Sequence, residues 1–258
     1  MDRKVLEDKT TVHYWYKQPD LLIKHQLGRI ISPDQLDGLK RLDLTVGGDH
    51  GGGKFRVTLK LLLRFHSKKT ISRLFQIASV SHSKDELPIL KSTVLDPIGE
   101  GLWLIVEGGR FSVKSNGNDL IVSFTNGSEG AICDVNNRVL VVGDLKFYAQ
   151  ILGRENMGSF WCMWCNVHPN TWQELNSNSD VVPWTIEHIK EHKSRIVREN
   201  LKDAKDICGI VDFPLWDFIQ PSHYIFPQLH IEIGLVNNIL ESFNDYVRCC
   251  FYQDQAKG

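Results

Sequence analysis

Residues 42–65 read LDLTVGGDHGGGKFRVTLKLLLRF and contain the clearest periodicity in the chain. Apolar side chains occupy every second position from Leu42 to Val46, and again from Phe55 to Phe65. Alternation of this kind predicts strands with one buried face, and the glycines between them predict a tight connection. The stretch therefore predicts a first strand that ends at Asp49, followed by a second, long strand.

The rest of the chain alternates predicted strands with predicted helices, as α/β proteins do. The run Val139–Val142 is apolar throughout, which predicts a central strand buried on both faces. It passes through Gly143-Asp144 directly into a helix that Gly153 closes. The other predicted elements are strands over 73–80, 110–114 and 120–124, and helices over about 33–41, 85–97, 183–206 and 230–247.

The composition is that of an ordinary globular protein. The chain has 258 residues, of which 42% are apolar and 24% charged, and this excludes collagen-like and broadly disordered chains. It contains no apolar run long enough for a membrane span and no secretory signal, so we expect a nuclear or cytoplasmic protein without a membrane partner. The net charge of −1 argues against a complete, self-sufficient DNA-binding protein.

Two aspartates, Asp49 and Asp144, stand where predicted strands end. Ligands and catalytic groups gather at strand ends in α/β sheets. Two carboxylates brought together there could hold Mg²⁺ or Mn²⁺ for a two-metal phosphoryl transfer. The alternative is that each aspartate is a turn residue or a helix N-cap, since both are common positions for this residue type.

The segment Gly48–Lys54 also matches the pattern G-x-x-x-x-G-K of a nucleotide-binding P-loop. The match fails because Phe55 follows in place of the Ser or Thr that holds Mg²⁺, and because a strand follows in place of a helix. A nucleotide site is therefore rejected.

Cys162 and Cys165 form a C-x-x-C pair, and His188 and His192 follow on a predicted helix. The i, i+4 spacing places both imidazoles on one helix face. Two thiolates from a turn and two histidines from a helix are a common tetrahedral Zn²⁺ set, so structural zinc is predicted, with His168 as a substitute ligand. The alternatives are a buried thiol pair beside two solvated histidines, or redox chemistry of the thiols.

The second predicted strand carries a row of basic residues on one face: Lys54, Arg56, Lys60 and Arg64. Such a row could lie along the phosphate backbone of DNA. The alternative is a solvated edge of the sheet, where charged residues are common.

Four segments occur in an order that resembles the cut-and-paste DNA transposases and the related catalytic subunit of the V(D)J recombinase. They are Gly48-Asp49 before a long strand, Val141-Val142-Gly143-Asp144-Leu145-Lys146-Phe147, Cys162-Met163-Trp164-Cys165 and Pro227-Gln228-Leu229-His230-Ile231-Glu232-Ile233-Gly234. The resemblance extends over about residues 41–245. It implies an RNase H-like fold in which two aspartates and one glutamate hold two divalent metal ions. These ions activate water, and then a DNA 3′-hydroxyl, for attack on phosphodiester bonds.

Carried over to this chain, the resemblance makes Asp49 and Asp144 the two aspartates, and Cys162 with Cys165 the zinc-binding thiol pair. The other two zinc ligands of the family are histidines that lie beyond the end of this chain. His188 and His192 are therefore assigned from local spacing and not from the resemblance.

The third carboxylate departs from the family pattern. The family's glutamate follows a long helical insertion, whereas Glu232 and Glu241 lie in the segment that resembles the region before it. We therefore expect a transposon-derived catalytic core fragment that is incomplete at its C-terminus and inactive as an isolated chain. Its expected partners are DNA, a second copy of the chain or a missing C-terminal segment, and its expected location is the nucleus. The alternative is a non-catalytic, zinc-stabilised module that binds DNA or protein.

The predicted organisation has four parts. They are an N-terminal helical or irregular segment (1–40), the first part of the RNase H-like core (41–155), a zinc-binding insertion with its helix (156–210), and a C-terminal helical segment (211–258).

Overall fold

The computed structural model describes residues 2–5, 11–32, 35, 38–81, 87–106, 111–115, 118–122, 138–154, 162–167, 181–202, 207–225, 236 and 239–243. The chain divides into two compact units, Met1–Ile225 and Phe226–Gly258. In the second unit the described residues 236 and 239–243 are helical, and the rest of the helix predicted over 230–247 lies outside the described residues. All other elements belong to the first unit.

The first unit is built on a mixed sheet. Its strands, together with those of one separate hairpin, are β1 (Asp2–Val5), β2 (Thr11–Tyr16), β3 (Leu39–Gly51), β4 (Lys54–Phe65), β5 (Thr70–Ser81), β6 (Phe111–Ser115), β7 (Asn118–Val122) and β8 (Arg138–Gly143). Within the described residues, six strands form the main sheet in the order β1-β2-β5-β4-β3-β8. All neighbours in this sheet are antiparallel except β3 and β8, which are parallel. The predicted hairpin is confirmed as the pair β6 and β7.

Helices accompany the sheet, so the predicted α/β class with a mixed sheet and flanking helices is confirmed. They are α1 (Pro19–Ile30), α2 (Leu87–Leu90), α3 (Asp96–Val106), α4 (Leu145–Leu152) and α5 (Ile186–Glu199). A π-helical turn, Lys91–Leu95, joins α2 to α3. None of the helices in the described part of the chain has the length and apolar composition needed to cross a membrane.

The period-2 pattern of β4 decides which side of the sheet holds the core. Every second residue from Phe55 to Phe65 is buried, while Lys54, Lys60 and Arg64 on the other face are exposed. The buried residues join one apolar cluster with residues of α1, α3 and α4. The long alternating strand predicted from the sequence is therefore confirmed, and its basic side is the side turned away from the core.

The N-terminal segment, predicted to be helical or irregular, contains helix α1 but also strands of the main sheet. Strand β2 pairs with β5, so residues 11–16 extend the main sheet. In this strand only Val12 is buried, so its hydrophobic pattern is too short to predict a strand. The helix predicted over 33–41 also ends too late, because Leu39 already belongs to β3.

The helix predicted to end near residue 97 continues to Val106. Proline lacks an N–H and its ring crowds the carbonyl four residues earlier, so Pro97 interrupts the regular hydrogen-bond ladder of the helix. The chain widens into the π-helical turn Lys91–Leu95 immediately before this proline, and such turns can absorb a local break in the regular ladder. The predicted end near residue 97 was wrong, because α3 continues past Pro97 to Val106.

The apolar strand β8 is the outermost named strand of the sheet, not a central strand buried on both faces. Val139 and Val141 are buried, while the residues between and after them are only partly buried. On the outer side of β8, among the described residues, Val141 forms one parallel bridge with Tyr224.

Helix α5 is shorter than the predicted range 183–206. Thr185 caps its N-terminus by accepting a hydrogen bond from the His188 N–H, and Asn200 ends it in the left-handed conformation. Ile186 and Ile189 lie on its buried side, whereas Val197, predicted to belong to the apolar stripe, is 63% exposed.

Candidate functional site

The parallel pairing of β3 with β8 brings Asp49 and Asp144 together. Gly48 and Gly143 are register partners, and the two aspartates are the next residues on their strands. Adjacent strands are about 4.8 Å apart, so the two aspartates follow the paired glycines at the same end of the sheet. Strand β3 does not end at Asp49 as predicted but continues to Gly51. The connection to β4 is made by Gly52 and Gly53, whose φ angles of +59° and +71° favour glycine.

Two glycines allow α4 to begin directly against these strands. A Cβ atom on Gly48 would lie 2.4 Å from ring atoms of Phe147 in the first turn of α4. A Cβ atom on Gly143 would lie 2.6 Å from the same ring and 2.9 Å from the Gly48 carbonyl oxygen. The Phe147 ring thus occupies the space that side chains at these two positions would need.

Asp144 is the N-cap of α4, as the alternative interpretation of this residue predicted. Its Oδ1 accepts a hydrogen bond of 2.7 Å from the Phe147 N–H. No residue that the structure describes donates a hydrogen bond to its Oδ2. The cap and a ligand role are compatible, because they use different oxygens.

Asp49 is exposed and takes part in no ion pair with any described residue. Its register partner on β4 is Arg56, so the two side chains leave the same face of the sheet. In the part of the chain that the structure describes, no group of three or more His, Cys, Asp or Glu side chains could hold a metal ion. The site therefore consists of two carboxylates, without a third ligand in that part.

The basic row of β4 lies on the face that Asp49 shares. Lys54, Lys60 and Arg64 are exposed, Arg56 is partly buried, and none of the four forms an ion pair with a described carboxylate. Strand β4 lies between β3 and β5, so the row stands on the solvated face of an interior strand and not at an edge of the sheet. Unpaired cations in such a row are suited to contact phosphates.

The predicted thiol pair lies in the short segment 162–167. The Cys162 Sγ accepts a hydrogen bond of 3.4 Å from the Trp164 N–H, and Cys165 forms a backbone bridge with Pro183. Burial raises the pKa of the Cys165 thiol, and its hydrogen bond to the neighbouring Cys162 thiol acts in the same direction. The two sulfur atoms are therefore close enough to interact, as the C-x-x-C spacing predicts.

The two histidines do not complete a zinc site with these thiols. His188 is exposed on α5, and the His192 ring packs edge-on against Trp184 with 6.1 Å between the ring centroids. All four predicted ligands are described residues, and they do not form one metal-binding group. The i, i+4 spacing correctly predicts a shared helix, whose buried residues are Ile186, Ile189 and Ile196. The substitute ligand His168 lies outside the described residues.

Arg154 is a residue of this region that the sequence did not reveal. It is only 5% exposed, and its Nη2 donates hydrogen bonds of 3.1 Å to the carbonyl oxygens of Cys162 and Cys208. The guanidinium lies 5.3 Å from the centroid of the Trp184 ring. Burial lowers the pKa of Arg154 to about 10, so it remains a cation at neutral pH. A single arginine after a helix-ending glycine has no local pattern that predicts burial.

No protein-family model matches the chain, and no curated protein sequence is significantly similar to it. The geometry of the two aspartates, the basic sheet face and the thiol pair is therefore the basis for a functional assignment.

Proposed function

We propose that the chain carries an RNase H-like catalytic core of a transposon-derived DNA transposase, with Asp49 and Asp144 as two of its metal-binding carboxylates. The observation that carries this proposal is the register of two parallel strands, in which Gly48 lies opposite Gly143 and the aspartates follow side by side. Carboxylates at the end of an α/β sheet, where a strand leads into a helix, are well placed to bind a divalent cation.

The cation site would use the exposed Asp49 carboxylate and the Oδ2 of Asp144, the oxygen that the N-cap hydrogen bond does not use. Bound Mg²⁺ or Mn²⁺ would supply charge stabilisation and an activated water for phosphodiester cleavage. The open basic face formed by Lys54, Arg56, Lys60 and Arg64 would hold the DNA backbone beside the carboxylates, because Asp49 leaves the same face. Nuclear location follows from this DNA substrate.

The proposed activity needs a third carboxylate that the described residues do not provide. Catalysis of phosphoryl transfer depends on positioning and charge stabilisation by both metal ions. With Asp49 and Asp144 alone, one cation should bind weakly and the second should lack a complete site. We therefore propose that the chain by itself does not cleave DNA.

The proposed cation site predicts selective paramagnetic broadening by Mn²⁺. In protein labelled with ¹⁵N at its 20 glycines, Mn²⁺ should broaden the amide signals of Gly48 and Gly143, which precede the two aspartates. Gly38, at the opposite end of β3, should be unaffected. Asp49→Asn and Asp144→Asn should each weaken the effect at least about 10-fold, because each removes one of two anionic ligands.

The same preparations decide between the catalytic assignment and its alternative. Broadening that is equal in the wild type and in both asparagine variants would exclude a cation site at these aspartates. Nicking of supercoiled plasmid that both variants abolish would show that the site is complete after all. A protein that shows no broadening and no nicking but still binds DNA would favour a non-catalytic binding module.

We also propose that Cys162 and Cys165 supply two thiolate ligands to a structural Zn²⁺, with the remaining ligands from outside the described residues. The supporting observation is the proximity of the two thiols in one short segment. Because the histidines lie elsewhere on α5, zinc content should survive in His188→Ala with His192→Ala and be lost in Cys162→Ser with Cys165→Ser. Elemental analysis of the purified variants measures this directly.

Two results of the zinc experiment would contradict the proposal. Wild-type protein that is folded and free of metal would show that the thiol pair is not a zinc ligand. Loss of zinc in the histidine variant would show instead that all four residues bind the ion together, as the spacing alone predicted. Loss of zinc in the cysteine variant should also lower stability, because a structural metal site contributes to the free energy of folding.

A further inference from the structure

The hydroxyl group of Tyr148 lies where a backbone hydrogen bond of the sheet would be expected. Beyond β8, the Ile225 N–H donates a bond of 2.9 Å to the Val141 carbonyl, and Val141 forms a parallel bridge with Tyr224. In a regular parallel ladder the next bond would run from the Gly143 N–H to the Ile225 carbonyl. Here the Gly143 N–H donates to the Tyr148 hydroxyl at 3.0 Å, and that hydroxyl donates to the Ile225 carbonyl at 2.5 Å.

This arrangement uses the donor and the acceptor capacity of one phenol. The hydroxyl oxygen accepts from Gly143, and its single hydrogen goes to Ile225, since the Val141 carbonyl is more distant at 3.4 Å. Burial raises the pKa of Tyr148 to about 12, so the hydroxyl keeps its proton throughout the physiological range. The contact is thus a permanent, side-chain-mediated link between β8 and the segment Tyr224–Ile225.

The link lies immediately before Asp144. The Gly143 N–H donates to the Tyr148 hydroxyl. The next residue, Asp144, accepts a hydrogen bond at Oδ1 from the Phe147 N–H of α4. The Phe147 ring also packs against Gly143 and leaves no room for a side chain there. The backbone and one carboxylate oxygen of Asp144 are therefore both restrained, and the direction of Oδ2 depends on these restraints.

We infer that Tyr148 is a positioning residue for Asp144, because its hydroxyl replaces the sheet hydrogen bond of Gly143 and so sets the course of the chain into the carboxylate. The inference rests on the proposed function, since it concerns the cation site of Asp49 and Asp144. Groups that orient metal ligands without touching the metal typically change its affinity by about 10–100-fold when they are removed.

The test compares two matched variants in the Mn²⁺ titration of glycine-labelled protein. Tyr148→Phe removes the linking hydroxyl and should raise the Mn²⁺ concentration for half-maximal broadening of Gly48 by about 10-fold. Tyr224→Phe is the control, because its ring contacts Tyr148 at 5.5 Å but its buried hydroxyl has no hydrogen-bond partner among the described residues. This control should bind Mn²⁺ as the wild type does.

Hydrogen exchange supplies a readout that does not involve metal. The Gly143 amide should exchange slowly in the wild type and in Tyr224→Phe, and faster in Tyr148→Phe. Should Tyr148→Phe fail to fold, rapid Gly143 exchange in the folded wild type would overturn the inference, and slow exchange would support it.

The outcomes separate the inference from the function on which it rests. Unchanged Mn²⁺ affinity in Tyr148→Phe, with loss in Asp144→Asn, overturns the positioning role and leaves the cation site intact. Equal weakening by Tyr148→Phe and Tyr224→Phe also overturns it, because the effect would then be general to the aromatic packing. Equal Mn²⁺ binding by the wild type, Asp49→Asn and Asp144→Asn would contradict both the proposed cation site and the positioning role of Tyr148.

Discussion

Replacing Trp216 with alanine is expected to lower the free energy of unfolding by about 3–5 kcal/mol. Trp216 is among the largest fully buried side chains, and only 1% of its surface is exposed. Its ring meets the Phe147 ring edge-on at 6.0 Å, and its Nε1 donates a hydrogen bond of 3.1 Å to the Leu95 carbonyl. The substitution therefore leaves a cavity between α4 and the start of α3 and removes a buried hydrogen bond.

The same chain offers a matched control for this loss. Trp103 lies on α3 and is 48% exposed, so Trp103→Ala should change the free energy of unfolding by less than about 1 kcal/mol. Urea denaturation followed by circular dichroism measures both variants, because their midpoints shift in proportion to stability when the slope is unchanged. Equal losses in the two variants would contradict the packing described around Trp216.

Gly48→Ala is expected to destabilise the protein by about 1–3 kcal/mol and to displace α4 from the sheet. The added Cβ atom would lie 2.4 Å from two atoms of the Phe147 ring, a separation that requires movement of the ring or of the strand. The ring has little freedom to move, because it also contacts Phe55 and Trp216. Since the Phe147 N–H donates to the Asp144 Oδ1, the same displacement should weaken Mn²⁺ binding at the two aspartates.

Gly38→Ala is the control for the loss of a glycine. A Cβ atom there would lie 3.5 Å from the nearest atom, an ordinary contact, so this variant should be neutral or slightly more stable. Thermal unfolding and the Mn²⁺ titration together check the prediction. If Gly48→Ala matched Gly38→Ala in both measurements, the close approach of Phe147 to β3 would not be a constraint on the fold.

Local patterns in the sequence were sufficient for several elements around the site. Strand β4 is predicted by alternation from Phe55 to Phe65, and α4 by the residues that begin and end it, Asp144 and Gly153. Burial alternation and helix capping depend on residues close together in the chain, which is why they can be read locally. Strand β2 could not be predicted in this way, because only Val12 of its six residues is buried.

The course of the chain around Pro97 shows the limit of a local rule. Proline ordinarily interrupts a helix, and the predicted helix ended near this position. The π-helical turn before it lets α3 continue, and the helix is then held by packing of Ile98 and Leu102 in the core.

The sequence by itself determined that Asp49 precedes a glycine turn, that Asp144 stands between an apolar strand and a helix, and that Cys162 and Cys165 share a turn. Only the tertiary structure decided that β8 pairs in parallel with β3, which places the two aspartates side by side. It also separated the histidines from the thiols, buried Arg154 and put the Tyr148 hydroxyl between Gly143 and Ile225. These features join segments that lie far apart in the chain, so they depend on which surfaces meet in the core, and no local pattern encodes that choice.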